Sequence, residues 1–237
     1  VATLEELQAA IDAAEDGDTL YLSKRIPLNN ISLSCDKDIT IRGTVPNSCF
    51  FSVSGDCALS GFNFITDYRD LSIAIIDNTG LVGNVKISDC QFTGNGNDFT
   101  YLVNIFSGNV EFQNCIFQSS AHTAMNISTN STVVIKDCFF GGTQTLYIGG
   151  AICNYGDLEV YNTEITNNAS GIGGAIYNAG SLTISSSKIK GNTGKNEFDV
   201  IEGNDIYSCG VLTITDEQSE DAGFYEETTG EKLSLPL

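Results

Sequence analysis

Val85-Lys86-Ile87-Ser88-Asp89-Cys90-Gln91-Phe92, Val110-Glu111-Phe112-Gln113-Asn114-Cys115-Ile116-Phe117 and Val133-Val134-Ile135-Lys136-Asp137-Cys138-Phe139-Phe140 are copies of one pattern. Val85/Ile87, Val110/Phe112 and Val133/Ile135 alternate as one face of a strand does, with Lys86 and Glu111 on the other face. Alternation breaks at Asp89, Asn114 or Asp137 and resumes as Cys90/Phe92, Cys115/Phe117 and Cys138/Phe140. Asn and Asp tolerate left-handed backbone angles, so the break is a corner between two strands.

The pattern spreads in both directions. Leu158 to Ile165 and Leu182 to Ile189 keep it with Thr163 and Ser187 in place of the cysteine, and Asn162 continues the corner. Earlier copies are Leu20-Tyr21-Leu22, Ile39-Thr40-Ile41 and Cys57-Ala58-Leu59, and a last one is Leu212-Thr213-Ile214. Nine starts, at 20, 39, 57, 85, 110, 133, 158, 182 and 212, have a mean spacing of 24 residues. A third apolar patch precedes many copies, at Ile105, Met125/Ile127, Ile152, Ile176 and Ile206. Three short strands and three corners per repeat make one turn of a coil, stacked at ~4.8 Å with like residues over like.

The expected fold is therefore all-β: a right-handed parallel β-helix of about nine turns, one domain over residues 1–237. The coils run over 19–215, with loops of variable length at 66–84, 94–101 and 190–205. Residues 3–14 break the pattern with helical spacing: Leu4, Leu7, Ile11 and Ala14 share a side, and Thr3 with Glu6 forms a capping box. An amphipathic helix there would cover the open end of the coil, whose bare strand edges invite aggregation. The acidic segment 216–237 leaves the repeat and is expected to cap the other end.

Thirty Asp and Glu against 11 Lys and Arg give a formal charge of −19. Nucleic acid and anionic membranes require clustered cations, so both are excluded as partners. No stretch approaches the ~18 apolar residues of a membrane span. No signal peptide stands at Val1, which leaves a processed chain or a segment of a longer one.

Cys90, Cys115 and Cys138 fall in one inward column and are expected as buried thiols packing like small hydrophobes. Cys35, Cys49, Cys57, Cys153 and Cys209 have no assignable redox state from spacing. No CxxC occurs and His122 is the single histidine, so no zinc site or other metal or cofactor is expected. His122, beside Thr123, is expected as a solvated loop residue. The corner residues Asp89, Asn114, Asp137 and Asn162 are expected as a hydrogen-bonded ladder rather than a calcium site. Sequons at Asn30, Asn126, Asn130 and Asn168 are weak signals in so Asn-rich a chain.

Residues 149–214 resemble the polymorphic outer membrane protein repeat and related adhesin-like β-helix proteins. The matching words are Gly149-Gly150-Ala151-Ile152 and Gly173-Gly174-Ala175-Ile176, with Phe92-Thr93-Gly94-Asn95 and its variants Ile165–Asn168 and Ile189–Asn192. Gly203-Asn204-Asp205-Ile206-Tyr207 is a further variant, and Gly17-Asp18-Thr19-Leu20 with Ile39–Gly43 looks like the entry to pectate-lyase-like β-helices. The resemblance implies a non-catalytic surface-displayed or secreted passenger, adhesin- or stalk-like, located at the cell surface or outside the cell. A host or microbial surface glycan or protein is the implied partner.

A carbohydrate-active enzyme, polysaccharide lyase or glycoside hydrolase, is the alternative on the same fold. A uronate lyase needs a cationic cluster and a base; Arg25, Arg42 and Arg69 lie near the first turns only. A glycosidase needs two carboxylates ~5–9.5 Å apart. Glu111 and Glu159 share an outward column two turns apart, ~9.6 Å between backbones, with Val134 between them. No catalytic residue is assigned. The second-strand outward column Gln91, Ile116, Phe139, Glu164, Lys188 places two apolar residues in the open beside Val134. Either a loop such as 94–106 or 119–125 covers Ile116 and Phe139, or the three mark an interaction patch.

Overall fold

The computed structural model describes residues 1–43, 48–66, 71–79, 83–94, 101–118, 120–195, 203–215 and 224–226. Parallel strands stack into three ladders that face one another across a filled core. The first ladder runs Ile26–Asn29, Ser48–Ser54, Leu71–Asp77, on through Ile152–Asn154, Ile176–Asn178 and Ile206–Ser208. The second holds Ser32–Ser34, Cys57–Ser60, Asn84–Ser88, Asp157–Tyr161, Ser181–Ser185 and Val211–Ile214. The third holds Thr19–Leu22, Thr40–Gly43, Asn63–Ile65, Gln91–Thr93, Ile116–Gln118, Phe139–Gly141, Glu164–Thr166 and Lys188–Lys190. In two turns the first corner is flattened, so that Val103–Gln113 and Met125–Lys136 each cross the first and second ladders as one strand.

The inward column of the second ladder is Leu59, Ile87, Phe112, Ile135, Val160, Ile184 and Ile214, each the register partner of the next. It begins at Leu33, paired with Leu59. The starts at 20 and 39 correct the count of about nine turns: Leu20 pairs with Ile41 and Ile41 with Phe64, all in the third ladder. Among the described residues, the second and third ladders have eight strands each.

Aromatic rings fill the third ladder. Phe92, Phe117 and Phe140 stack with ring planes 5° apart and centroids at 4.7 and 4.4 Å. Such spacing follows from the strand separation, because identical residues in register lie one layer apart.

The corners are built as expected. Asp89, Asn114, Asp137, Asn162 and Ser186 have φ between 44° and 54°. Asn114 Nδ2 donates to Asp89 Oδ1 at 2.7 Å, and Asn162 Nδ2 to Asp137 Oδ1 at 2.6 Å. One residue on, the thiol column has a polar role that the expectation of simple hydrophobes missed. Cys90, Cys115 and Cys138 donate to the carbonyls of Ser88, Gln113 and Lys136 at 3.0–3.3 Å. Thr163 and Ser187 donate in the same way to Tyr161 and Ser185. Each also accepts from the layer before, as Cys115 N to Cys138 Sγ and Cys138 N to Thr163 Oγ1 show. Thiol and hydroxyl are interchangeable here because both donate across the corner and accept along the axis.

The glycine-rich words are also structural. Gly149, Gly173 and Gly203 have φ of 62–65°, where side chains are strained. A Cβ on Gly150 or Gly174 would sit 2.0–2.1 Å from a carbonyl oxygen of the next layer. Their companion asparagines turn inward: Asn154 Nδ2 donates to Asn178 Oδ1, and Asn178 Nδ2 to Ser208 Oγ. Asn168, Asn192 and Asp205 form a second buried series on the same plan. Asn168 is 1% exposed, which removes its sequon from consideration.

The helix Leu4–Ala13 buries Leu7 and Ile11 in the same core. Thr3 Oγ1 accepts from Glu6 N, while Glu6 Oε2 reaches back to Ala2 N rather than to Thr3 itself. Val1 bonds to Tyr21 and Ser23 along the outer edge of the first third-ladder strand, which satisfies part of that edge. Of the segment 216–237, Phe224–Glu226 pairs parallel to Ile206–Ser208 and so extends the first ladder; the rest of the expected cap lies outside the described residues. The expected loop at 66–84 is corrected, because Leu71–Asp77 within it is a strand of the first ladder. Of the loop at 190–205, Thr193–Gly194 is a short strand, and 95–100 and 196–202 lie outside the described residues.

Candidate functional site

Two grooves among the described residues bear on function. One, of about 470 Å³, lies along the corner between the second and third ladders and includes Ile116, Asp137, Phe139, Glu164 and Lys188. Register places Gln91, Ile116, Phe139, Glu164 and Lys188 in one outward column, as the sequence pattern implies. Ile116 is 39% exposed. Phe139 is half-buried by folding over Gly141 of its own strand, where a Cβ would come within 2.8 Å of the ring. Residues 103–106 are part of a strand, and Ile116 remains exposed in the presence of the described parts of 94–106 and 119–125. Val134 is half-buried between Glu111 and Glu159 in the neighbouring column.

The carboxylate pair is brought onto one column but not into one site. Glu111 forms an ion pair with Lys136 at 3.5 Å, and Glu159 accepts from Tyr161 Oη at 2.9 Å. Glu164, in the groove, is paired with Lys188. Among the described residues no cluster of three or more His, Cys, Asp or Glu could hold a metal ion.

The second groove, of about 460 Å³, was not legible from alternation. It is lined by Ala121, His122, Gln144, Thr145, Leu146, Tyr147, Ala169, Ser170, Thr193 and Lys195. His122 is not the solvated loop residue expected. Its ring lies between Tyr101, edge-on at 4.7 Å, and Tyr147, at 5.0 Å and 35°. Its Nδ1 is buried without a hydrogen-bond partner. One signal could have revealed the cluster: Tyr101, His122 and Tyr147 stand 21 and 25 residues apart, one repeat each.

Next to it, Tyr177 and Tyr207 stack at 5.6 Å and 11°, with Tyr155 at 6.0 Å from Tyr177. Cys153 precedes Tyr177 in the same column, and burial pushes its thiol up to about 11. It is protonated and unreactive at neutral pH.

Burial lowers the pKa of His122 below its ordinary 6.5. The unfolded chain therefore binds more protons than the folded one between that lowered value and 6.5. His122 thus costs stability on acidification through this window and adds no further cost below it. His122→Phe should shrink the loss of stability between about pH 7.5 and about pH 5, read as the change in urea midpoint of variant against parent. An equal loss in both would show that the ring is solvated.

Residues 72–228 match the model of the right handed beta helix region family, more than half of the chain, and the chain belongs to that family. Among solved structures it is similar to an alginate lyase from Paenibacillus sp. str. FPU-7, at 12% identity over 95% of this chain and 96% of that one, with a TM-score of 0.44. No curated protein matches it. No helix among the described residues is long and apolar enough to cross a membrane.

Proposed function

We propose that the chain is a non-catalytic binding module of a microbial surface or secreted protein, adhesin- or stalk-like, which meets a partner protein in the groove beside Ile116 and Phe139. The observation that carries this is Ile116: a β-branched apolar residue exposed at one end of a groove, with Phe139 as its register partner one layer away. Two adjacent apolar residues flanked by Asp137, Glu164 and Lys188 have the composition of a protein contact, in which apolar and charged groups lie side by side. The repeat words that resemble adhesin-like β-helices support display at the cell surface, and they serve turns and buried ladders here.

Replacing Ile116 and Phe139 together by serine should abolish adhesion to target cells or capture of a purified surface protein. The melting temperature should change little for Ile116→Ser alone, since that side chain is already exposed. Adhesion unaffected by the double variant refutes the groove. Release of reducing ends or unsaturated sugars from polysaccharide by the parent chain refutes the non-catalytic reading.

A further inference from the structure

The groove walled by His122 and Tyr147 has a different chemistry. Its floor is a column of Gln144, Ala169 and Thr193, which pair in register over three successive turns. Three layers at ~4.8 Å make a floor about 10 Å long, running along the axis of the coil. Such a trough suits a chain of small units better than a single compact molecule.

One wall presents an aromatic ring. Tyr147 is 59% exposed, and Leu146 beside it is 95% exposed. The Tyr147 ring is not adrift, because His122 supports it from one side and Tyr101 supports His122 in turn. A ring already held in place loses little side-chain entropy when a ligand settles against it. Tyrosine offers a flat apolar surface and a hydroxyl at its tip, a combination that serves a ligand with both C–H and O–H groups.

The polar groups match that ligand. Gln144 and Thr193 are exposed, and an amide with a hydroxyl supplies both donors and acceptors. Among the described residues Lys195 is the one charged residue of the lining and no carboxylate takes part, in a chain with 30 Asp and Glu. A polyanion would meet a single cation here against an overall charge of −19. The ligand is therefore uncharged along most of its length.

His122 holds the wall in place, at the cost of a buried ring nitrogen. A buried polar atom without a partner costs free energy that an apolar ring of similar size would not.

We propose that this groove binds an uncharged oligosaccharide chain, with one sugar ring stacked on Tyr147 and neighbouring hydroxyls met by Gln144 and Thr193. The site is separate from the Ile116 groove and stands or falls without it.

The test is titration calorimetry on the full chain with neutral hexasaccharides of glucose, mannose, xylose and galactose, and with a polyuronate as comparison. At least one neutral series should bind the parent. Tyr147→Ala should weaken that binding about tenfold or more at unchanged melting temperature, because the ring is exposed, and Thr193→Ala should weaken it less. The Ile116→Ser/Phe139→Ser variant should bind the sugar as the parent does. Absence of binding to all four neutral series, binding of the polyuronate alone, or neutral-sugar affinity indifferent to both Tyr147→Ala and Thr193→Ala overturns the assignment.

Discussion

Phe117→Ala should destabilise the folded chain by about 3–5 kcal/mol, seen as a large fall in the urea midpoint with circular dichroism of the surviving sheet as the readout. Phe117 is fully buried, between Phe92 and Phe140 in parallel stacking and against Phe112 edge-on at 5.6 Å. Removing the ring opens a cavity that cannot close by sliding its neighbours together, because hydrogen bonds between strands fix the layer spacing at ~4.8 Å. In a coil where each turn touches only the turns before and after, the damage should also stay local. The two ends are coupled only through this layer, so unfolding should broaden or divide into two steps. A fall below about 1 kcal/mol with a single sharp transition would mean that the ring stack is not what joins the turns.

That stack was legible because alternation in the second and third ladders is clean. Val110/Phe112 and Cys115/Phe117 declare both the inward face and the corner between them. The same rule misplaced Leu20 and Ile41, since a period of two tells which face a residue takes and not which ladder its strand joins. It passed over Ile31/Leu33 altogether, although the two alternate as Cys57/Leu59 do and Leu33 is the register partner of Leu59. In the first ladder the apolar patch Met125, Ile152, Ile176 and Ile206 gave the strand in register, but the signal is incomplete for a chemical reason. Asn154 and Asn178 also point inward, where a hydrophobicity rule expects none. The Ile116 groove could be derived because it lies on strands. The His122 groove could not, because its walls are corner residues between strands and only stacking brings them together.

The inward asparagines carry the second large effect. Asn168→Ala should cost about 2–6 kcal/mol, taking two of the groups it serves as left unpaired at roughly 1–3 kcal/mol each. Asn168 Oδ1 accepts from Thr143 N at 3.1 Å, and its Nδ2 donates to the carbonyls of Phe140 and Thr166 and to Asn192 Oδ1. All of these atoms belong to a closed corner, so an alanine leaves space but no competing donor for the carbonyls. The series is also directional: each amide donates onward to the next layer, from Asn168 to Asn192 and from Asn192 to Asp205. Breaking its first link should therefore weaken the links behind it, and an Asn168→Ala/Asn192→Ala double variant should lose less than the sum of the two single losses. Asn109→Ala, at an exposed position of the second ladder, is the matched comparison and should stay within about 0.5 kcal/mol of the parent. Equal, small losses for Asn109 and Asn168 would show that the repeat's asparagines are turn formers only, and that the buried amide ladder does not hold these corners together.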